Sequence, residues 1–306
     1  MECSYCGSLD LVEEFFYTNP EDQTLNNINI RKKKLHSCQK CNLIFCSNIT
    51  AKELDDYYRK YENLYEDEKT KNLIKDSHWA PFNSRFFSQF LYFLQYANRD
   101  NINSVLEIGP NWQGILPTIK YFKKDVKYFF FDQTNSKSMQ ENGGVQLGTY
   151  FDPELANLPS VDLVWMSHSL EHIHPKLLKP TLKKIYDSLN PGGYFFIEIP
   201  DNVKEKIFTF PHTLFFDQRT LLNILEKQGF KIISSQSIEK TKIKDKKMEL
   251  NTQPILKKNH LVDKFKKIIK SLLTKKFRQK LLINYAVKNL NGPYSERPNI
   301  RIIVTK

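Results

Sequence analysis

The 306-residue chain has no apolar run approaching the roughly 18 residues that cross a bilayer. Its amino terminus, Met1-Glu-Cys-Ser-Tyr-Cys6, lacks the basic-then-apolar pattern of a secretory leader. These absences point to a cytoplasmic, reducing location. Cysteine is scarce: there are five, none beyond Cys46, and in such a compartment they read as metal ligands or free thiols rather than disulfides. Charge of one sign is missing from most of the chain. The formal net charge is +12, and residues 240–280 alone carry fifteen Lys or Arg against three Asp or Glu. The remainder is balanced, which describes a neutral globular protein carrying one basic segment.

Four of the cysteines form two pairs, Cys3-x-x-Cys6 and Cys38-x-x-Cys41, separated by 31 residues. Two such knuckles supply the four thiolates of a closed tetrahedral Zn²⁺ shell. With every position filled by sulfur, the ion has no site for water or substrate, so the expectation is structural zinc on Cys3, Cys6, Cys38 and Cys41 in a ribbon-like domain spanning 1–50. Cys46 is expected to be buried and spare, and His36 is an alternative ligand. The basic run Arg31–Lys34 reads as a solvated loop, with phosphate contact as the competing reading.

Residues 51–100 are expected to be a helical linker or lid. Tyr57, Tyr61 and Tyr65 fall at i, i+4 and i+8 on one helical face. That face packs on the neighbouring domains or looks into an acceptor pocket. Residues 80–97 form an apolar amphipathic helix expected to cover one face of a sheet.

From residue 100 onward strand-like and helical patterns alternate. Strand-like runs lie near 103–108, 126–131, 144–147, 161–166 and 193–199, with two more at 231–237 and 299–305, and helical patterns at 175–189 and 220–229. Such alternation implies a Rossmann-like, doubly wound α/β sheet, mostly parallel. The first run, Ser104-Val-Leu-Glu-Ile-Gly-Pro-Asn-Trp-Gln-Gly114, ends in an acidic residue and a glycine-bearing turn before a helix, the arrangement that holds a nucleotide-like cofactor at the carboxyl end of a strand. Asp132 closes the second run, and the fourth leads into Ser167-His-Ser-Leu-Glu-His172.

Taken together, Val105-Leu-Glu-Ile-Gly109, Asp132, Val161-Asp-Leu-Val164 with Leu170-Glu-His172, Leu189-Asn-Pro-Gly-Gly193 and His212 through Phe216 resemble the class I S-adenosylmethionine (SAM)-dependent methyltransferases over roughly 100–240 plus the last strand. The cysteine knuckles followed by a tyrosine-bearing helix are similar to the zinc-binding domain that precedes this fold in a bacterial branch linked to sugar and small-metabolite methylation, including surface polysaccharide biosynthesis. The resemblance implies SAM as cofactor and a catalytic domain over 101–306, with an antiparallel last strand and a basic helical insertion at about 240–295. It also implies site roles. Glu107 would meet the amino group of SAM, and Gly109, Asn111 and Gly114 would form the turn. Asp132 would accept the ribose hydroxyls, Tyr150 and Phe151 would flank the adenine, and Ser167 would lie beside the sulfonium. The sequence departs from the family's turn: Asn111 and Gln113 stand where glycines are usual, Gly114 is displaced by one, and Thr149 replaces an acidic residue after the third strand.

A hydroxyl acceptor must lose a proton during methyl transfer, and His168, His172 and His212 are the candidate bases. Other readings of these three stay open: Glu171-His172 bracing the loop, and His212 orienting the Phe215-Phe216 loop. His174 before Pro175 reads as a helix start. The expected acceptor is a small molecule or glycan, with methylation at oxygen favoured. The segment 262–280 carries an apolar stripe (Val262, Phe265, Ile268, Ile269, Leu272, Leu273, Phe277) flanked by lysines. It can pack on the domain, lie on an anionic membrane at the inner face, or clamp an anionic acceptor. Nucleic acid is a weaker expectation. The Asn/Asp-Pro-Pro-aromatic motif of base amino methylation is missing after the fourth strand, and no cysteine beyond Cys46 can attack a cytosine ring. RNA methylation elsewhere, and a non-catalytic binding protein with this fold, are the alternatives.

Overall fold

The computed structural model describes residues 1–18, 30–65, 84–110, 114–132, 137–238 and 298–306. Asn111, Gln113 and the basic stripe at 262–280 therefore lie outside the described residues.

Seven strands form the main sheet: β4 (Ser104–Ile108), β5 (Lys127–Phe131), β6 (Gly144–Gly148), β7 (Val161–Ser167), β8 (Leu189–Pro200), β10 (Lys231–Ile238) and β11 (Asn299–Thr305). Their order is β10-β11-β8-β7-β4-β5-β6. The pairs β4–β5, β4–β7, β5–β6 and β7–β8 are parallel, whereas β11 runs antiparallel to both β8 and β10. All five residues of β4 are buried, as a central parallel strand covered on both faces requires, and this is why it reads as an unbroken apolar run with one embedded acid.

Helix α2 (Ser84–Phe93) covers one face, as its pattern predicts. Phe90 and Phe93 pack on Trp165, which stacks on Phe196 at 3.6 Å between ring centroids. Helices α5 (Leu178–Ser188) and α7 (Gln218–Lys227) contribute Leu182, Ile185, Leu221, Ile224 and Leu225 to the other core. Asp217 caps α7 through Thr220 N, and Gly229, at φ +95°, terminates it.

A second sheet holds β1 (Leu11–Phe15), β2 (Leu35–Cys38), β3 (Ile44–Cys46) and β9 (Leu214–Phe215) in that order. Its last strand comes from the main domain, so the amino-terminal ribbon and the main sheet's domain share hydrogen bonds and core. Tyr5 Oη donates to Ile224 O at 3.1 Å, and Cys3, Cys38 and Cys41 pack in the same cluster as Leu221 and Ile224. Lys33 of the basic run is buried. Its Nζ bonds Glu53 at 2.6 Å and Asn48 O at 3.0 Å, tying the ribbon to helix α1 (Ala51–Tyr65). Among the described residues no helix is long and apolar enough to cross a membrane.

Candidate active site

The carboxyl ends of the parallel strands converge on one edge. There β4 ends in the turn that begins at Gly109. This residue has φ +72°, and a Cβ on it would lie 2.8 Å from Ser169 Cβ, so only glycine leaves the space open. Gly114, at φ +52°, closes the turn against Pro110 and Glu107. Glu107 is fully buried and holds this loop in place: Oε2 accepts from Ile115 N at 2.8 Å and from Tyr128 Oη. Burial pushes its carboxyl up to about 8, with Asp132 adding to the effect and the two donors opposing it. Asp132 sits at the end of β5, its N–H bound to Gly148 O at 3.2 Å and its carboxylate buried close to Glu107. Tyr150 is exposed, while Phe151 is buried against Phe131, with centroids 5.3 Å apart. The positive-φ turn at Gly109 and the buried Asp132 carboxylate at the end of β5 are the features of this edge that fit a nucleoside-bearing cofactor, whereas Glu107 lies behind the turn, bound to Ile115 N and Tyr128. Ser167 is turned elsewhere: its hydroxyl accepts from Arg85 Nη2 at 3.0 Å and Gln89 Nε2 at 2.9 Å on α2.

Beyond β7 the chain turns sharply. His168 takes a left-handed backbone conformation (φ 56°), fixed by its N–H to Glu198 O at 2.8 Å. Its ring lies between two carboxylates, with Nδ1 3.7 Å from Glu171 Oε1 and Nε2 3.5 Å from Glu198 Oε1. Burial, aided by Arg85, lowers the His168 pKa although Glu198 works against the shift, so the ring is neutral near pH 7. Glu198 is itself locked by Arg85, Gln89 and Arg301. Burial disfavours its charge, but Arg301, His168 and Arg85 outweigh that and hold the carboxyl well below its usual range. Arg85, Gln89 and Arg301 gave no sequence signal, since the elements that unite them are far apart in the chain.

His172 and His212 meet ring to ring, 4.7 Å between centroids. Two bonds staple their loops together: Thr213 N to Glu171 O at 2.9 Å and Thr213 Oγ1 to Ile173 O at 2.5 Å. His172 Nδ1 shares a 2.7 Å hydrogen bond with Tyr58 Oη, and His212 Nδ1 a 2.9 Å bond with the Asn202 amide. Burial, then His212 and His168, depress the His172 pKa far below 6.5. Thus Tyr58, off the predicted Tyr57-Tyr61-Tyr65 face, reaches the site, whereas Tyr57 packs on Phe210; the Tyr61 and Tyr65 side chains lie outside the described ones. His174 caps the turn at Pro175, as expected, through Lys176 N.

The sulfurs of Cys3, Cys6, Cys38 and Cys41 lie within 4.8 Å of one another, with Cys3–Cys41 at 3.6 Å and Cys6–Cys38 at 3.5 Å. A tetrahedral ion with ~2.3 Å bonds spaces its sulfurs about 3.8 Å apart, so the set is sized for one. A hydrogen bond from Cys41 holds the Cys3 thiol down at about 5 and correspondingly raises Cys41. His36 faces Glu13 at 3.5 Å, and Cys46 is buried in the separate cluster around Tyr17.

A cavity of about 390 Å³ lies at the opposite end of the strands, lined by Asn103, Lys127, Asp162 and Asn190 among others. Asp162 there accepts from Asn103 N, Ser104 N, Ser104 Oγ and Asn190 Nδ2, a structural clasp between β4, β7 and β8.

The strand order, with the antiparallel β11 between β8 and β10, is that of the class I methyltransferase fold. Residues 78–235, just over half of the chain, match the methyltransferase domain family, and the chain belongs to that family. No curated protein sequence matches it significantly. Solved structures resemble it at low identity. One is a 1,6-didemethyltoxoflavin-N1-methyltransferase from Burkholderia thailandensis (13% identity, TM-score 0.48, 90% of this chain and 96% of that one). Another is a SAM-dependent methyltransferase from Archaeoglobus fulgidus (19%, 0.43, 82% and 100%). A third is the phosphoethanolamine N-methyltransferase 2 of Haemonchus contortus (14%, 0.42, 71% and 51%), of which this chain spans about half the length. At these identities the likeness is one of fold alone.

Proposed function

We propose that this protein methylates a hydroxyl of a small molecule using SAM, and that the acceptor is a sugar, nucleotide-sugar or lipid-linked glycan of surface polysaccharide biosynthesis. One observation carries the reading: a neutral histidine, His168, stands between two buried carboxylates directly beyond the strand end that faces the cofactor cradle. SAM, when bound, supplies a methyl group on a cationic sulfur, already activated for displacement. The chain's own task is then alignment and proton removal. Gly109 and Gly114 let the turn fold closely against Ser169, Pro110 and Glu107, Asp132 takes the cofactor's ribose, and Tyr150 covers the adenine. His168 takes the acceptor's proton as the oxygen gains the methyl group, and the negative charge of Glu198 favours the imidazolium that forms.

An anionic acceptor is supported by where the basic segment is rooted. The chain leaves β10 at Ile238 and returns at Pro298, and Ile238 pairs with Asn299 at the end where β8 reaches Pro200. Asp201 N bonds Pro298 O at 2.9 Å, and Asn202 is the partner of His212. The segment that carries fifteen basic residues between 240 and 280 thus has both its described ends at the edge that holds His212, and its charge suits a phosphate-bearing acceptor or an anionic membrane carrying a lipid-linked substrate. The cysteine set holds structural Zn²⁺ in this reading.

The test uses labelled SAM with nucleotide-sugar and lipid-linked glycan acceptors. His168→Asn is expected to lower kcat at least a hundredfold while S-adenosylhomocysteine affinity stays unchanged; full activity in H168N contradicts the proposal.

A further inference from the structure

His168 as base leaves a second group at the same edge without a task. Glu171, His172 and His212 offer one carboxylate oxygen and two ring nitrogens within 4.8 Å of one another. Glu171 is 2% exposed, and among the described residues neither of its carboxylate oxygens meets a donor in hydrogen-bonding geometry. A buried carboxylate without donors is unusual and calls for a cation. Its Oε1 lies 3.9 Å from His172 Nε2. Metal bonds of ~2.0–2.2 Å would draw that pair to about 3–3.5 Å, a shift within the reach of side-chain rotation.

Both imidazoles are steered from behind. Tyr58 Oη holds His172 by Nδ1 at 2.7 Å, and the Asn202 amide holds His212 by Nδ1 at 2.9 Å. A ligating histidine is ordinarily oriented by a partner on its other nitrogen. Tyr58 can accept from an Nδ1–H, and an amide can present its oxygen; to turn Nε2 toward Glu171 the His172 ring exchanges its contact with the Pro211 carbonyl for the ion. Two loops and two helices are thereby committed to one constellation. The loops are stapled by Thr213, Tyr58 comes from α1, and Asn202 opens α6 (Asn202–Glu205).

We propose that Glu171, His172 and His212 bind a divalent transition-metal ion, separate from the cysteine site, with open positions for two neighbouring oxygens of the acceptor, as in a vicinal diol or hydroxy-carboxylate. One carboxylate with two imidazoles suits zinc, iron(II), manganese or cobalt. A hydroxyl on such an ion is more acidic. Its proton passes to His168, the oxygen–methyl bond forms, and the sulfur–methyl bond breaks to leave a neutral thioether. This acceptor role rests on the methyl-transfer reading above; ion binding does not.

The full-length protein, its cysteine set loaded with zinc, is titrated with Mn²⁺ while the free-ion electron paramagnetic resonance signal is followed. Co²⁺ serves as the second probe. Uptake of one equivalent is expected, and bound Co²⁺ is expected to show ligand-field bands without thiolate charge transfer. Glu171→Gln and His212→Asn should each weaken binding at least tenfold, Tyr58→Phe severalfold, and His168→Asn less than twofold. Circular dichroism and S-adenosylhomocysteine affinity establish that each variant is folded. Absence of uptake of both ions by the wild type, or equal uptake by folded E171Q and H212N, overturns the site. Metal uptake with no methyl transfer to any acceptor overturns only the function proposed above.

Discussion

At the scale of single residues, the cofactor edge is governed by acids whose surroundings push them in opposite directions. Glu107 is raised from 4.5 to about 8 because its burial is only partly offset by Ile115 N and Tyr128. A carboxyl raised on folding stabilises the native state fully below its unfolded value. That contribution is lost as pH rises through the folded value. The unliganded protein is therefore expected to lose on the order of a few kcal/mol between pH 5 and 8, and Glu107→Gln to flatten the slope in urea melts taken across that range; Glu171, raised by burial to about 8 as well, supplies the remainder. A slope unchanged in E107Q contradicts the assignment. The base behaves oppositely. With the His168 pKa lowered, turnover should persist to mildly acidic pH and decline only as pH falls through that lowered value, below 6.5. A kcat profile with its acidic limb above pH 7 would place the proton elsewhere.

At the scale of elements, the sequence was most readable where one residue pattern decides one element. The runs at 103–108, 126–131 and 161–166 became β4, β5 and β7 within a residue or so, because a strand covered on both faces must be apolar throughout. Gly109 and Gly114 were legible as turn residues because the turn after β4 needs a positive φ at both. Contacts between distant elements were not legible. No local pattern foretells that Ser167 is claimed by Arg85 and Gln89, that Glu198 gathers two arginines, or that Tyr58 rather than Tyr57 finds His172. The Tyr58–His172 bond spans 114 residues. Replacing Tyr58 with Phe should lower kcat about five- to tenfold with little change in S-adenosylhomocysteine binding. Loss of both together would show that α1 supports the fold rather than the chemistry.

At the scale of the whole molecule, the ribbon is built into the catalytic domain. Strand β9 completes its sheet, Tyr5 is anchored on α7, and Cys3 and Cys41 pack in the main core. Stripping the metal from the cysteine set should therefore lower the melting temperature of a single cooperative transition, checked by calorimetry with and without a chelator. A separate early transition, with the main one unmoved, would mean that the ribbon folds independently. The basic segment between β10 and β11 gives the molecule its entire excess charge and is rooted beside the acceptor edge. Pelleting with anionic vesicles, reversed by salt and missing with neutral vesicles, is the expected behaviour if the acceptor is lipid-linked.

The methyl-transfer reading rests on the edge that joins Gly109 to Asp132 receiving an adenosyl methyl donor. Isothermal titration of the zinc-loaded protein with S-adenosylhomocysteine measures that directly. The account predicts one-to-one binding that Asp132→Ala weakens at least tenfold. No detectable heat at millimolar ligand, under buffer conditions that keep the protein folded, would contradict it.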